Sequence, residues 1–127
     1  MNKQLTLSHS EWKLMELLWF RPHTLMELVA RLKETVGWSK STVATMVRRL
    51  EDKGLISHEE HGRTKTFFPL ISQEDAALGE TESLLHRAFH GSVGMMVSAM
   101  ARRNSLTKTD IEELYAILKE AEEETKP

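Results

Sequence analysis

The chain contains no cysteine. A disulfide scaffold, a thiolate zinc site, an iron-sulfur cluster and a catalytic thiol are therefore excluded together, and any metal would have to be held by His, Asp or Glu. Proline and glycine are sparse, at three and six of 127 residues. With 40% hydrophobic and 28% charged residues, this composition excludes a disordered, collagen-like or rod-like chain as a description of the whole. No stretch approaches the roughly 18 apolar residues of a membrane span. The opening MNKQLTLSHSEW lacks the apolar segment of a secretory signal. The expectation is a cytoplasmic protein with no membrane partner. Also missing are a Gly-x-Ser-x-Gly elbow, a phosphate loop and a dinucleotide fingerprint, so we expect no enzyme, no catalytic residues and no cofactor. Finally, there is no strong charge of one sign. The net charge is -2, which taken whole argues mildly against a nucleic-acid partner.

What is present changes that argument. Residues 1–71 hold 11 Lys and Arg against 8 Asp and Glu, whereas residues 72–127 hold 6 against 11. Two halves of opposite electrostatic character point to different partners. The length suits one domain, or one small domain with a helical appendage. Ser8-His9-Ser10-Glu11 reads as a capping box, followed by Trp12, Met15, Leu18 and Trp19 on one helical stripe that ends near Arg21-Pro22. Thr24-x-x-Glu27 opens a second helix, with Leu25, Leu28, Val29 and Leu32 inward and Gly37 as its stop. Ser39 caps a third, where Val43, Met46, Val47 and Leu50 face inward and Gly54 ends the run. Residues 55–59 and 64–68 then read as two strands joined by a turn at His61-Gly62 and closed by Pro69. Three helices and a hairpin, in that order, predict a winged helix-turn-helix.

From Ser72 the pattern is helical again. Leu78, Leu84, Leu85, Ala88 and Phe89 form one series that breaks at Gly91. Val93, Met96, Val97 and Met100 follow behind a Ser92 cap, and Ile111, Leu114, Tyr115 and Leu118 behind a Thr107 cap. These apolar faces exceed what short helices can bury against one another, which predicts a partner surface. Packing of that surplus onto the winged domain of the same chain is the alternative. The expected fold is therefore mainly α with a small β-hairpin. A winged helix-turn-helix over residues 1–71 precedes a helical dimerisation domain over residues 72–127. Leu85, Phe89, Val93, Met96, Val97, Met100, Ile111, Leu114, Tyr115 and Leu118 are the candidate dimer contacts.

Once its apolar residues are assigned to the core, the third helix presents Lys40, Ser41, Thr42, Ala44, Thr45, Arg48 and Arg49. Small side chains let a helix sit deep in the major groove. Hydroxyls and methyl groups can read base edges, and arginine makes forked contacts to guanine or phosphate. Lys and Arg populate any solvated helix face, but no acid occurs from Lys40 through Leu50, where helix propensity alone would favour Glu and Gln. The hairpin adds Gly62, Arg63 and Lys65, placed for phosphate contacts, with Glu59 and Glu60 weakening that patch. Metal binding is the competing chemistry. Glu82, His86 and His90 fall at i, i+4 and i+8, but no other ligand set lies nearby. His58-Glu59-Glu60-His61 has its histidines three apart on a hairpin, unlike a metalloprotease helix. No metal site is assigned.

The string Ser8-x-x-Glu11-Trp12-x-x-Met15-x-x-x-Trp19, followed by Trp38-Ser39-x-x-Thr42-Val43-x-Thr45-x-x-x-Arg49-Leu50-x-x-Lys53-Gly54-Leu55-Ile56, resembles the penicillinase-repressor (BlaI/MecI/CopY) family of winged-helix regulators. Gly62-Arg63-x-x-x-Phe67-x-Pro69-Leu70 and Phe89-x-Gly91-Ser92 resemble its wing and C-terminal domain, so the likeness runs from about Leu5 to Leu118. The resemblance implies a homodimeric transcriptional repressor on an inverted-repeat operator with TACA and TGTA half-sites. By residue match, Thr42, Thr45 and Arg49 would meet DNA from the recognition helix and Gly62-Arg63 from the wing, whereas Lys40, Ser41, Ala44 and Arg48 rest on the face assignment. A thymine-rich half-site suits a helix of Thr, Ala and Ser. The copper-responsive branch ends in a Cys-rich motif that this chain lacks, which excludes release through thiolates. The antibiotic-resistance branch is released by a regulatory protease at an Asn-Phe pair, and the aligned pair here is Ala99-Met100. Two other readings fit the residues: a His-based metal-responsive regulator, and a winged-helix protein-interaction module that does not bind DNA.

Overall fold

The computed structural model describes residues 6–103 and 106–125. Helix α1 (His9–Phe20) starts where Ser8 accepts from the Glu11 backbone N–H and Glu11 returns the bond to the Ser8 N–H, the reciprocal cap that the spacing predicts. Helix α2 (Leu25–Val36) opens with the same device between Thr24 and Glu27, and closes at Gly37, whose φ of 71° places it in the left-handed region open to glycine. Ser39 caps α3 (Lys40–Asp52) by accepting from the Thr42 N–H. Strands β2 (Ile56–His61) and β3 (Thr64–Pro69) form the hairpin. Its central residues are Gly62 and Arg63, because His61 pairs with Thr64. The turn therefore sits one residue later than expected at His61-Gly62.

A further strand, β1 (His23–Thr24), joins the other edge of β3 to give a three-stranded antiparallel sheet in the order β1-β3-β2. His23 pairs with Phe67 and is fully buried, with its Nδ1–H donating to the Arg21 carbonyl at 2.7 Å. The core gathers Leu14, Met15 and Leu18 of α1, Leu28 and Leu32 of α2, the four expected residues of α3, and Leu55, Ile56 and Phe67. On α1 the stripe is shifted. Leu14 is at its centre, while Trp12 and Trp19 are half-buried in a T-shaped pair with ring centres 5.3 Å apart. The shift leaves the two amphipathic rings at the margin, where the Trp19 indole N–H reaches the Ile71 carbonyl at 2.9 Å.

Helices α4 (Gln73–Phe89), α5 (Val93–Arg102) and α6 (Lys108–Glu124) complete the chain. Ser72, Ser92 and Thr107 cap them as expected. The expected domain boundary lies between residues 71 and 72. The compact units divide elsewhere, between Ser83 and Leu84, inside α4. The first turns of α4 stay with the winged part because Ala76 is fully buried and Glu80 accepts from the Leu7 backbone N–H at 2.9 Å. In the second unit neither α5 nor α6 contains a buried residue. Among the described residues no helix is long and apolar enough to cross a membrane.

Candidate nucleic-acid interface

The two sides of α3 differ as the periodicity predicts. Val43, Met46, Val47 and Leu50 are buried, Lys40, Ser41, Thr42, Thr45, Arg48 and Arg49 are exposed, and Ala44 is half-buried. The first turn carries no acid, so the positive end of the helix is not neutralised by its own side chains. There the hydroxyls are organised: the Ser39 Oγ lies 3.1 Å from both the Ser41 and the Thr42 hydroxyl oxygens. Two of the candidate reading residues are thus already oriented by the cap.

The wing approaches α3 through its register. Phe67 turns inward to the core. Lys65, two residues earlier, lies on the same face of β3. Gly62, with φ of 67°, occupies the first position of the tight turn, and Arg63 the second. Between helix and wing runs a cleft of about 570 Å³. It brings Arg48 together with Arg63 and Lys65, over an apolar floor that includes Ala44, Val47 and Phe67. Three cations on two elements facing one groove form an arrangement suited to a phosphodiester strand. Lys40, Ser41, Thr42, Thr45 and Arg49 lie outside the cleft lining, on the exposed part of α3.

Glu51 and the start of α2, at Thr24, Leu25 and Met26, also line this cleft and were not anticipated. Glu51 follows Ala44 by seven residues, so helical spacing alone puts both on one side of α3. It stands one residue beyond the acid-free stretch from Lys40 through Leu50. Its Oε2 accepts from the His58 Nδ1–H at 2.5 Å, and the His58 ring lies against Phe67 with centres 5.5 Å apart. The carboxylate is thereby held back toward β2. Two residues beyond Glu51, at the C-cap of α3, Lys53 donates to Glu11 Oε1 at 2.8 Å. Burial pushes the Glu11 carboxyl up, but the Lys53 ammonium and the Ser8 N–H together bring it below the ordinary carboxylate value.

The metal-binding alternative loses its geometry. Helix α4 ends at Phe89, and His90 leaves the helical path with φ of 52°, so the i, i+4, i+8 register of Glu82, His86 and His90 is broken. Among the described residues no three His, Asp or Glu side chains gather closely enough to hold an ion. Of the candidate dimer contacts, Leu85, Phe89, Met96, Val97 and Leu114 are half-buried, while Val93, Met100, Ile111, Tyr115 and Leu118 are exposed. Leu84, a member of the apolar series expected on α4, is exposed as well, as are Met95 and Ile117, which were not anticipated. The Ala99-Met100 pair lies within α5.

Comparison with known proteins is consistent across sequence and structure. A family model described as Penicillinase repressor matches residues 7–120. The chain is 32% identical over 123 residues to the penicillinase repressor of Bacillus licheniformis, covering 94% of each chain. It is 23% identical over 118 residues to the methicillin resistance regulatory protein MecI of Staphylococcus aureus strain N315, covering 92% of this chain and 96% of that one. The solution structure of the DNA binding domain of the repressor BlaI superposes with a TM-score of 0.53 at 32% identity, covering 59% of this chain and 93% of that domain.

Proposed function

Because the chain belongs to the penicillinase repressor family, whose members are DNA-binding transcriptional repressors rather than enzymes, we propose that it acts as a homodimer on an inverted-repeat operator of the TACA and TGTA type. Residues 1–71 would read the DNA and residues 72–127 would pair the two copies. The exposed side of α3 enters the major groove. There Thr42, Ala44 and Thr45 offer methyl and hydroxyl groups to base edges, Arg49 makes a forked contact, and Lys40 and Ser41 meet the flanking backbone. Arg48, Arg63 and Lys65 clamp the phosphodiester strand that lies between helix and wing, with Gly62 allowing its close approach. One observation carries this reading: the stretch of α3 from Lys40 through Leu50, which has no acid, opens beside a cleft on which Arg48, Arg63 and Lys65 converge.

The pairing half of the reading rests on α5 and α6, which contain no fully buried residue yet expose Val93, Met100, Ile111, Tyr115 and Leu118. Repression is then steric, since an operator occupied across a promoter excludes polymerase, and each half-site alone binds weakly. A regulatory protease acting on the paired helices is the release route that the family suggests, at a bond other than an Asn-Phe pair. Mobility shift at physiological salt, with an inverted TACA/TGTA duplex against a scrambled duplex of equal length, tests the assignment. Selective retention of the first supports it, and equal retention of both rejects sequence-specific reading.

A further inference from the structure

A cleft suited to phosphate leaves unexplained why an acid lines it. Helix stability does not call for Glu51 either, because the last turn of a helix favours cations. Glu51 follows Arg48 by three residues on α3, a spacing at which opposite charges pair on a helix surface. On the wing, Glu60 stands directly opposite Lys65 in the ladder between β2 and β3, where opposite charges also pair. Each acid therefore has a cleft cation as its natural partner, and neither takes it. Arg48, Arg63 and Lys65 form no ion pair with any described residue. Both carboxylates lie against His58 instead, with Nδ1 2.5 Å from Glu51 Oε2 and Nε2 3.7 Å from Glu60 Oε2. The ring is itself held in place, since His58 pairs with Phe67 in the ladder and rests against that buried side chain.

We propose that His58 is a positioning residue for DNA binding: its ring keeps the carboxylates of Glu51 and Glu60 off the cleft cations, which leaves Arg48 and Lys65 free for the phosphodiester strand. The inference deepens the clamp reading of the cleft and rests on it. All the groups concerned lie on α3, β2 and β3, within the first compact unit. A carboxylate paired with Arg48 or Lys65 would have to be displaced before a phosphate could take its place. Each cation so withheld removes one phosphate contact and the counterion release that goes with it. Glu51 is the stronger competitor, because it lines the cleft and its side chain is 28% exposed, whereas Glu60 is 66% exposed and better screened.

The test uses the full chain with the inverted TACA/TGTA duplex and a scrambled duplex of equal length, each titrated at a series of salt concentrations, with thermal unfolding measured in parallel. His58→Phe keeps an aromatic ring against Phe67 but can hold neither acid. It should weaken both duplexes by about fivefold to tenfold at about 0.1 M salt, and lower the slope of log affinity against log salt by about one. His58→Leu, equally unable to donate, should do the same and stands in if the phenylalanine variant melts early. Adding Glu51→Gln to either variant should bring affinity back to within about threefold of the unaltered protein, because the amide offers Arg48 no charge. A merely structural role for the ring would show no such rescue. If the variants fold and bind both duplexes as the unaltered protein does, or if their loss persists with Glu51→Gln and Glu60→Gln both added, the proposal is overturned. Lys65→Ala checks the clamp reading separately: an unchanged salt slope would mean that the cleft holds no phosphate, and that reading would fall together with this proposal, a result distinguishable from a failure at His58 alone.

Discussion

A charge buried at Glu11 is tolerable only while Lys53 stays beside it. The ammonium is 42% exposed, so solvent screens part of the attraction, but the carboxylate has almost no water to fall back on. Lys53→Met should therefore cost about 1–3 kcal/mol of unfolding free energy at pH 7, read from denaturant titration. The pH dependence has a definite sign. The folded protein holds the Glu11 carboxyl below its ordinary value, so its contribution is present above that value and is lost as pH falls through the folded pKa. In Lys53→Met burial dominates instead and the carboxyl protonates more readily. The stability gap between the two proteins should close on acidification toward pH 4, and a gap that widened would assign the ion pair the wrong role. At the interface itself, single residues divide into two kinds. Arg49→Ala should weaken binding to the operator by about 1–3 kcal/mol and relax discrimination between base pairs. Lys65→Ala, removing a cleft cation, should weaken operator and scrambled DNA alike and lower the slope of log affinity against log salt by about one.

The elements were legible in proportion to how local their causes are. Capping boxes at Ser8-Glu11 and Thr24-Glu27, and the caps at Ser39, Ser92 and Thr107, depend on residues three apart, and every one formed where spacing placed it. The inward and outward sides of α3 followed from a 3.6-residue period for the same reason. Strand β1 was not legible. Two residues carry no periodicity, and His23 is extended because Phe67, far along the chain, offers it a ladder. The groove was legible only in part, because Arg48 and Lys65 share it through tertiary packing and Glu51 arrives with the same turn of helix. At the wing, the one-residue displacement of the turn follows from Gly62. A positive φ is needed at the first turn position, and glycine supplies it there. Gly62→Val should cost about 1–2 kcal/mol and weaken DNA binding through a displaced Arg63, measurable by unfolding and by mobility shift.

At the scale of the whole molecule, the net charge of -2 is the sum of a basic N-terminal half and an acidic C-terminal half, and only the first is assigned to phosphate. The acidic half has the opposite problem, an excess of apolar surface. Leu118 is 60% exposed and Tyr115 72% exposed on α6, in a unit where α5 and α6 have no fully buried residue. Exposed apolar surface of this kind marks an interaction site, and the proposed pairing would cover it with the same surface of a second copy. Leu118→Asp isolates this claim, because a carboxylate at an exposed position disturbs little within one copy but is intolerable between two apolar faces. The variant should sediment as a monomer with its helical content intact. Joining two weak half-site contacts raises affinity by a factor of roughly 100 to 10,000. Leu118→Asp, which touches no DNA, should therefore lose more operator affinity than Arg49→Ala does. A variant that stayed dimeric would move the pairing surface away from α6, and one that became monomeric while keeping its operator affinity would show that the two half-sites are read independently.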